Sequence, residues 1–191
     1  IYPSVTLCEA DFPFSGMEYP RMILLSSDLI GRGTESMLEP IVHELAHQWF
    51  AMQVGSDSFR HAWQDETLCV YAYLNYLRAT QGQGAFEQAV FDNVESALRL
   101  TLSSTLTPGS PLDYFSSMRD YSLIVYSRGT ALWLALENLY GIEPLQRALR
   151  TYAEAYALKI AQPEDLIDVL TKATGLDPEP LFIDYLDTAM Q

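Results

Sequence analysis

Two histidines four residues apart and a glutamate separated from the second by eighteen residues constrain this chain more than anything else in it. They lie in His43-Glu44-Leu45-Ala46-His47 and in Ala62-Trp63-Gln64-Asp65-Glu66. On a helix, positions four apart share a face one turn apart, so both imidazoles can close on a single ion. Glu44 points about 100° round the same helix, off the ligand position but within reach of a water on that ion. Taken alone, the pair also reads as two ordinary core histidines, and so short a pattern can arise by chance. Glu66 is the test. Its spacing lets a helical hairpin return a carboxylate to the histidine face. Two imidazoles and one carboxylate with an open position form the donor set of a catalytic zinc site, not of a closed structural one. The alternative for Glu66 is a plain acid at a helix start.

The segments around these residues set the fold class. Val5-Thr6-Leu7-Cys8 and Arg21-Met22-Ile23-Leu24-Leu25-Ser26 read as short strands separated by a turn-rich stretch from Asp11 to Gly16. Gly31-Arg32-Gly33 breaks the chain, and the apolar period is helical from there onward. The first helix is predicted to start near Pro40, with Ser36 or Glu39 as its cap, because proline suits only a first turn. It runs through His43, His47 and Phe50 toward Gly55. Further helices are predicted over 65–79, 85–102, 118–139, 143–157 and 163–173, with a last one from about Pro178. Thr107-Pro108-Gly109-Ser110-Pro111 is a loop, and Gly141 and Gly175 are stops. A small N-terminal β-sheet followed by a mostly helical body makes an α+β domain.

Composition narrows the partners. The 191 residues carry 25 acids against 11 bases, a net charge of −14, with no Lys/Arg cluster. This argues against nucleic acid. No apolar run approaches the ~20 residues of a membrane helix, so no membrane contact is expected from this segment. Cys8 and Cys69 are far apart and form no Cys-x-x-Cys pair; both are read as buried thiols rather than a redox pair or metal ligands. His61 stands outside the spacing of the histidine–glutamate set and is read as a surface residue or one supporting the site from outside. The sequence opens on Ile1 with no charged leader, which reads as a piece of a longer protein.

Four motifs follow one another in an order and spacing that resembles the aminopeptidase N family, the gluzincin zinc metallo-aminopeptidases. They are Gly16-Met17-Glu18, His43 through Trp49, Trp63-Gln64-Asp65-Glu66, and Val125-Tyr126-Ser127-Arg128-Gly129. The ending, Thr174-Gly175-Leu176-Asp177-Pro178 through Tyr185-Leu186, is similar to the close of that family's catalytic domain. The resemblance implies a thermolysin-like zinc peptidase domain with one Zn2+ per chain on His43, His47 and Glu66, and Glu44 as general base. It implies that Tyr126, by itself merely a tyrosine in an apolar helix, donates to the oxyanion of the reaction. Glu18, by itself a loop charge, would pair with the free α-amine of a peptide, with Gly16 and Met17 along the substrate backbone. The implied substrates are peptides with a free N-terminus.

The chain 1–191 then reads as part of a catalytic domain, strand-rich over 1–33 and helical over 34–191. The family's flanking domains are expected partners outside it, and weak or no turnover is expected of the segment alone. Rival readings are a thermolysin-type endopeptidase on the same zinc hairpin, an epoxide-hydrolysing relative, and a non-catalytic binding scaffold that kept the fold. The sequence departs from the family's pattern at Tyr19, Thr67, Arg128 and Tyr73. At position 73 the family has a glutamate supporting a histidine ligand. A tyrosine hydroxyl is expected to accept from the imidazole more weakly and to lower zinc affinity.

Overall fold

The apolar stretch Met22–Ser26 forms the centre of a three-stranded sheet in a computed structural model that describes residues 2–189. The expected domain bounds at 1 and 191, and the opening at Ile1, lie outside the described residues. β1 (Thr6–Ala10) runs parallel to β3 (Met22–Ser26), and β2 (Gly16–Tyr19) runs antiparallel on its other side, in the order β1-β3-β2. Glu18 lies opposite Ile23 and Met17 opposite Leu24. Side chains alternate across a strand, and Ile23 and Leu25 project to one face, where they are buried with Leu29 against Met37 and Ile41. The two predicted strands are thus present with slightly shifted ends, and Gly16 ends the turn-rich stretch by opening a strand of its own.

The β2–β3 turn holds Arg21 at φ 65°, in the left-handed region. Gln48 clasps that turn: its Oε1 accepts from the Arg21 N–H at 2.9 Å, and its Nε2 donates to the Tyr19 carbonyl at 3.0 Å.

After α1 (Ser27–Ile30), α2 spans Thr34–Ala46, six residues earlier than predicted, with Pro40 inside it. Proline lacks the N–H that would bond one turn back. The turn before it is anchored by other means: Gly33 swings the chain into the helix at φ 100°, and the Ser36 hydroxyl lies 2.7 Å from the Gly33 carbonyl and 3.3 Å from that of Leu29. The predicted run to Phe50 and Gly55 is also corrected, because the helix stops at Ala46 with His47 as its cap. The chain then doubles back, with Met52 N–H donating to His47 O at 2.9 Å and Val54 N–H to Trp49 O at 3.0 Å. It enters β4 (Val54–Gly55), which pairs in parallel with β5 (Lys159–Ile160).

This reversal places Ala51 at φ 135°, a conformation that favours glycine. Ala51→Gly is therefore expected to stabilise the protein by about 1–2 kcal/mol, read as a higher urea midpoint with an unchanged m-value.

The body is helical as expected. α3 (Trp63–Gln81) is its central member, followed by α4 (Gln83–Ala89), a π-helical stretch Val90–Glu95 and α5 (Ser96–Leu100) in one run. α6 (Met118–Tyr121) passes through a π-helical stretch, Ser122–Arg128, into α7 (Ala131–Tyr140), where the predicted single helix is interrupted at Gly129 and Thr130. α8 (Ile142–Ala155), α9 (Pro163–Thr174) and α10 (Glu179–Phe182) complete it. Gly141 at φ 84° and Gly175 at φ 76° are the stops the sequence indicated.

The main core gathers Leu68, Trp133, Leu136, Leu145, Tyr152 and Leu166, all at 2% exposure or less. Thr67 is fully buried where α3 meets α7: its hydroxyl donates to the Trp63 carbonyl at 2.5 Å and accepts from Trp133 Nε1 at 2.7 Å. Gly129 permits that approach, since a Cβ there would lie 2.8 Å from Thr67 Cγ2.

Arg78 on α3 makes a two-pronged pair with Glu137 on α7, at 2.8 and 3.1 Å, and Tyr71 donates to the same carboxylate at 2.7 Å. The guanidinium also lies over Phe86 of α4. Both partners are about 85% buried. Removing one partner leaves a buried charge unpaired, so Glu137→Ala is expected to cost about 3–5 kcal/mol. The double variant Arg78→Met/Glu137→Leu should regain most of that loss in the same denaturation measurement.

Candidate metal centre

The end of α2 and the first turn of α3 lie side by side, and the three residues singled out in the sequence meet there. His43 Nε2 lies 3.1 Å from Glu66 Oε2 and 3.1 Å from His47 Nε2; His47 Nε2 lies 3.2 Å from Glu66 Oε2. His47 is buried, and its Nδ1 donates to the Phe50 carbonyl at 2.9 Å. A carbonyl only accepts, so that bond fixes the proton on Nδ1 and leaves Nε2 of a neutral ring as a lone pair. That lone pair faces a carboxylate oxygen and a second imidazole nitrogen, three electron-rich atoms converging on one point.

Such a cluster calls for positive charge. The neighbours Cys69 and Glu66 raise the His47 pKa above the ordinary value although burial pulls it down. Of the two, the carboxylate is the charged one, since burial pushes the Cys69 thiol up to about 12. Burial pushes Glu66 up, but His43 and His47 together hold its carboxyl well below the usual range. Two nitrogens and one oxygen gathered in this way, with the tautomer of one ring set by an outer hydrogen bond, fit a zinc ion.

Glu44 sits beside this set and is buried, with Oε2 accepting no hydrogen bond among the described residues. Burial is the main cause that pushes its carboxyl up to about 8, with Glu18 and Glu66 adding and His47 opposing. Gly16 of β2 makes room for it: a Cβ on Gly16 would lie 2.6 Å from Glu44 Cγ. Glu18, one step along the strand from Met17, offers a carboxylate oxygen within 4.8 Å of donor atoms of both Glu44 and His47. Tyr126 stacks on His43 with ring centres 5.5 Å apart, and its hydroxyl donates to Glu66 Oε1 at 2.6 Å. Burial raises its pKa far above that of a free phenol. The π-helical stretch sets Tyr121, five residues earlier, edge-on to Tyr126 at 5.4 Å. His43, His47, Glu66, Glu44, Gly16, Glu18 and Tyr126 thus lie together, whereas Met17, between Gly16 and Glu18 on β2, is opposite Leu24.

The expectations for Tyr73 and for Cys8 change. Tyr73 makes no hydrogen bond to an imidazole among the described residues; it packs with Leu74 and Phe86 instead. The acceptor for His47 is a backbone carbonyl, that of Phe50, which no residue type in the sequence could signal. Arg128 does not face the site: it is buried and donates to the carbonyls of Leu106 at 3.3 Å and Thr188 at 2.8 Å, tying a loop to the chain's last described turn. Of the two cysteines, Cys69 is fully buried beside His47, whereas Cys8 is half-buried in β1. His61 is half-buried across from Asp187, away from the ligand set.

A small sheet set on a helical body, with its donors on a helix hairpin, is the thermolysin-like zinc peptidase fold. Yeast LTA4 hydrolase shares it at a TM-score of 0.77 and 24% identity, over 94% of this chain and 30% of its own. The M1 zinc metallopeptidase from Deinococcus radiodurans shares it at 0.73 and 16%, over 98% of this chain and 40% of its own. The chain belongs to peptidase family M1, whose Peptidase family M1 domain matches residues 2–185.

Among curated relatives, leucine aminopeptidase 2 of Emericella nidulans is 29% identical over 194 residues, covering 93% of this chain and 29% of its own length. Aminopeptidase M1-C of Oryza sativa subsp. japonica is 29% identical over 137 residues, covering 71% and 16%. The chain thus spans less than a third of the length of either relative.

Proposed function

We propose that this chain carries the catalytic centre of a zinc-dependent aminopeptidase that removes N-terminal residues from peptides. One observation carries the reading: an acid on a sheet-edge strand, Glu18, lies within 4.8 Å of a buried carboxylate, Glu44, that adjoins the His43–His47–Glu66 donor set. His43 Nε2, His47 Nε2 and Glu66 Oε2 would hold one zinc per chain. Bound there, the ion supplies Lewis acidity and lowers the pKa of a bound water.

The remaining work falls to the chain's own groups. Glu44 accepts a proton from the attacking water and returns it to the departing amine. Its burial strengthens its hold on the proton it takes up, and Gly16 keeps the space around the carboxylate clear. Tyr126 donates its hydroxyl hydrogen to the oxygen that gains charge, exchanging its bond to Glu66 Oε1 for one to substrate. β2 is the sheet edge on this side, so the backbone of Gly16 and Met17 is free to pair with an extended peptide. Glu18 then meets the peptide's α-ammonium and fixes the first residue at the site. The partners of this reading are peptides with a free N-terminus and, in a longer protein, flanking domains.

The test compares aminoacyl-amide substrates with their N-acetylated counterparts. Glu18→Ala is expected to lower kcat/KM for free-amine substrates by about 100-fold and to leave the small rate on blocked substrates unchanged. Equal losses on both would favour an endopeptidase instead. Stoichiometric zinc with no difference between wild type and Glu44→Gln on any peptide would favour a binding scaffold.

A further inference from the structure

Tyr126 stands on a π-helical stretch, Ser122–Arg128, that ends two residues beyond it. The closing bond runs from the Gly129 N–H to the Ile124 carbonyl at 3.0 Å, five residues back. Such stretches are rare and recur at functional sites. Register matters in them, since one residue turns a helical side chain by about 100°. Something must therefore hold the end of this stretch if the Tyr126 hydroxyl is to stay on Glu66 Oε1, at 2.6 Å, with its ring on His43.

Arg128 sits at that end and is only 2% exposed. Its Nη1 donates to the Leu106 carbonyl at 3.3 Å and its Nη2 to the Thr188 carbonyl at 2.8 Å. The two acceptors belong to different segments, which also meet each other: the Gly109 N–H donates to the Leu186 carbonyl at 2.9 Å. Gly129 lets the first segment close in, because a Cβ there would lie 3.2 Å from Pro108 Cβ. No carboxylate pairs with Arg128 among the described residues. Burying a guanidinium without a counter-charge costs stability, and an apolar side chain would fill the same space at less cost. What only the planar fork supplies is two donors held in fixed directions.

We propose that Arg128 is a positioning residue for Tyr126: through the Leu106 and Thr188 carbonyls it pins the end of the π-helical stretch and keeps the Tyr126 hydroxyl aimed at the donor set. Its effect on catalysis rests on the aminopeptidase reading; its effect on where the tyrosine ring lies does not.

The test is Arg128→Lys, which keeps the charge and loses the fork. The whole metal-free chain, with tyrosine isotope-labelled at Cζ, is followed by NMR, and the Tyr126 signal is assigned from Tyr126→Phe. In wild type that signal is expected to stand apart from free tyrosine because the hydroxyl donates to Glu66. Arg128→Lys should return it toward the free position. Tyr152, whose hydroxyl accepts from Gln64 Nε2 at 3.0 Å in the main core, should keep its signal. Gly109→Ala disturbs the same junction with Arg128 intact, since its Cβ would lie 2.9 Å from the Leu186 carbonyl oxygen, and should move the Tyr126 signal the same way. If Arg128→Lys displaces Tyr152 as well, Gly109→Ala decides by the same signal. On aminoacyl-amides, Arg128→Lys is expected to lower kcat by about 10- to 100-fold, with KM and bound zinc within about twofold of wild type. In a chain already carrying Tyr126→Phe it should lower kcat no further. A Tyr126 signal that stays in place in both variants overturns the positioning role. Losses that add to those of Tyr126→Phe overturn its link to catalysis. The NMR arm needs neither zinc nor peptide, so its failure is distinguishable from failure of the aminopeptidase reading.

Discussion

Glu44→Gln is expected to lower kcat on aminoacyl-amide substrates by about 10²- to 10⁴-fold while KM and bound zinc stay within about twofold of wild type. Glutamine keeps the shape that Gly16 accommodates and loses only the capacity to take a proton. Because Glu44 Oε2 has no partner among the described residues, the substitution breaks no existing hydrogen bond at that atom, and an unchanged melting temperature is expected beside the fall in rate. A parallel loss of zinc would instead make Glu44 part of the ligand set, contrary to its place a third of a turn from His43. The comparison therefore separates the base from the ligands, which kinetics on ligand variants cannot do.

The second large effect is the coupling of metal to stability. Zinc that binds the folded chain and not the unfolded one stabilises it by about 2.7 kcal/mol at a free concentration 100 times its Kd. In a chain of this length that corresponds to roughly 5–10 °C in melting temperature. His47→Ala is expected to abolish the zinc-induced rise, since it removes the donor most firmly oriented, by the Phe50 carbonyl at 2.9 Å. His61→Ala should keep the full rise, because that ring lies across from Asp187 and outside the donor set. A rise lost in both variants would mean that zinc binds at an undirected histidine surface.

The fold class and the donor set were legible because each left a local mark. The change from strand to helix period near Gly33, the four-residue spacing of the histidines and the stops at Gly141 and Gly175 are all properties of neighbouring residues. The spacing to Glu66 was legible for a related reason: a helical hairpin has few ways to return.

What the sequence hid is of three physical kinds. Pro40 inside α2 ran against a preference that the Ser36 hydroxyl and the Gly33 turn offset, and only tertiary packing decides such a contest. The β4–β5 ladder joins residues more than a hundred positions apart, so nothing near Val54 announces it. Phe50 and Gln48 act through a carbonyl and through bonds to a turn's backbone, neither of which depends on a recognisable motif. Tyr73 belongs with these. Its place two turns beyond Glu66 suggested a bond to an imidazole, and the packing around Leu74 and Phe86 took it elsewhere.

Gln48 has one more implication. Its amide grips both sides of the β2–β3 turn while its backbone continues directly from the helix that bears His43 and His47. Strand and helix are thereby locked as the two jaws of a caliper with a fixed opening. If Glu18 seats the amine on one jaw, the length of chain reaching the other is one residue by construction. Selection of the first peptide bond is then a matter of measured distance rather than of side-chain identity. Loosening the clasp should blur where the cut falls before it slows the cutting.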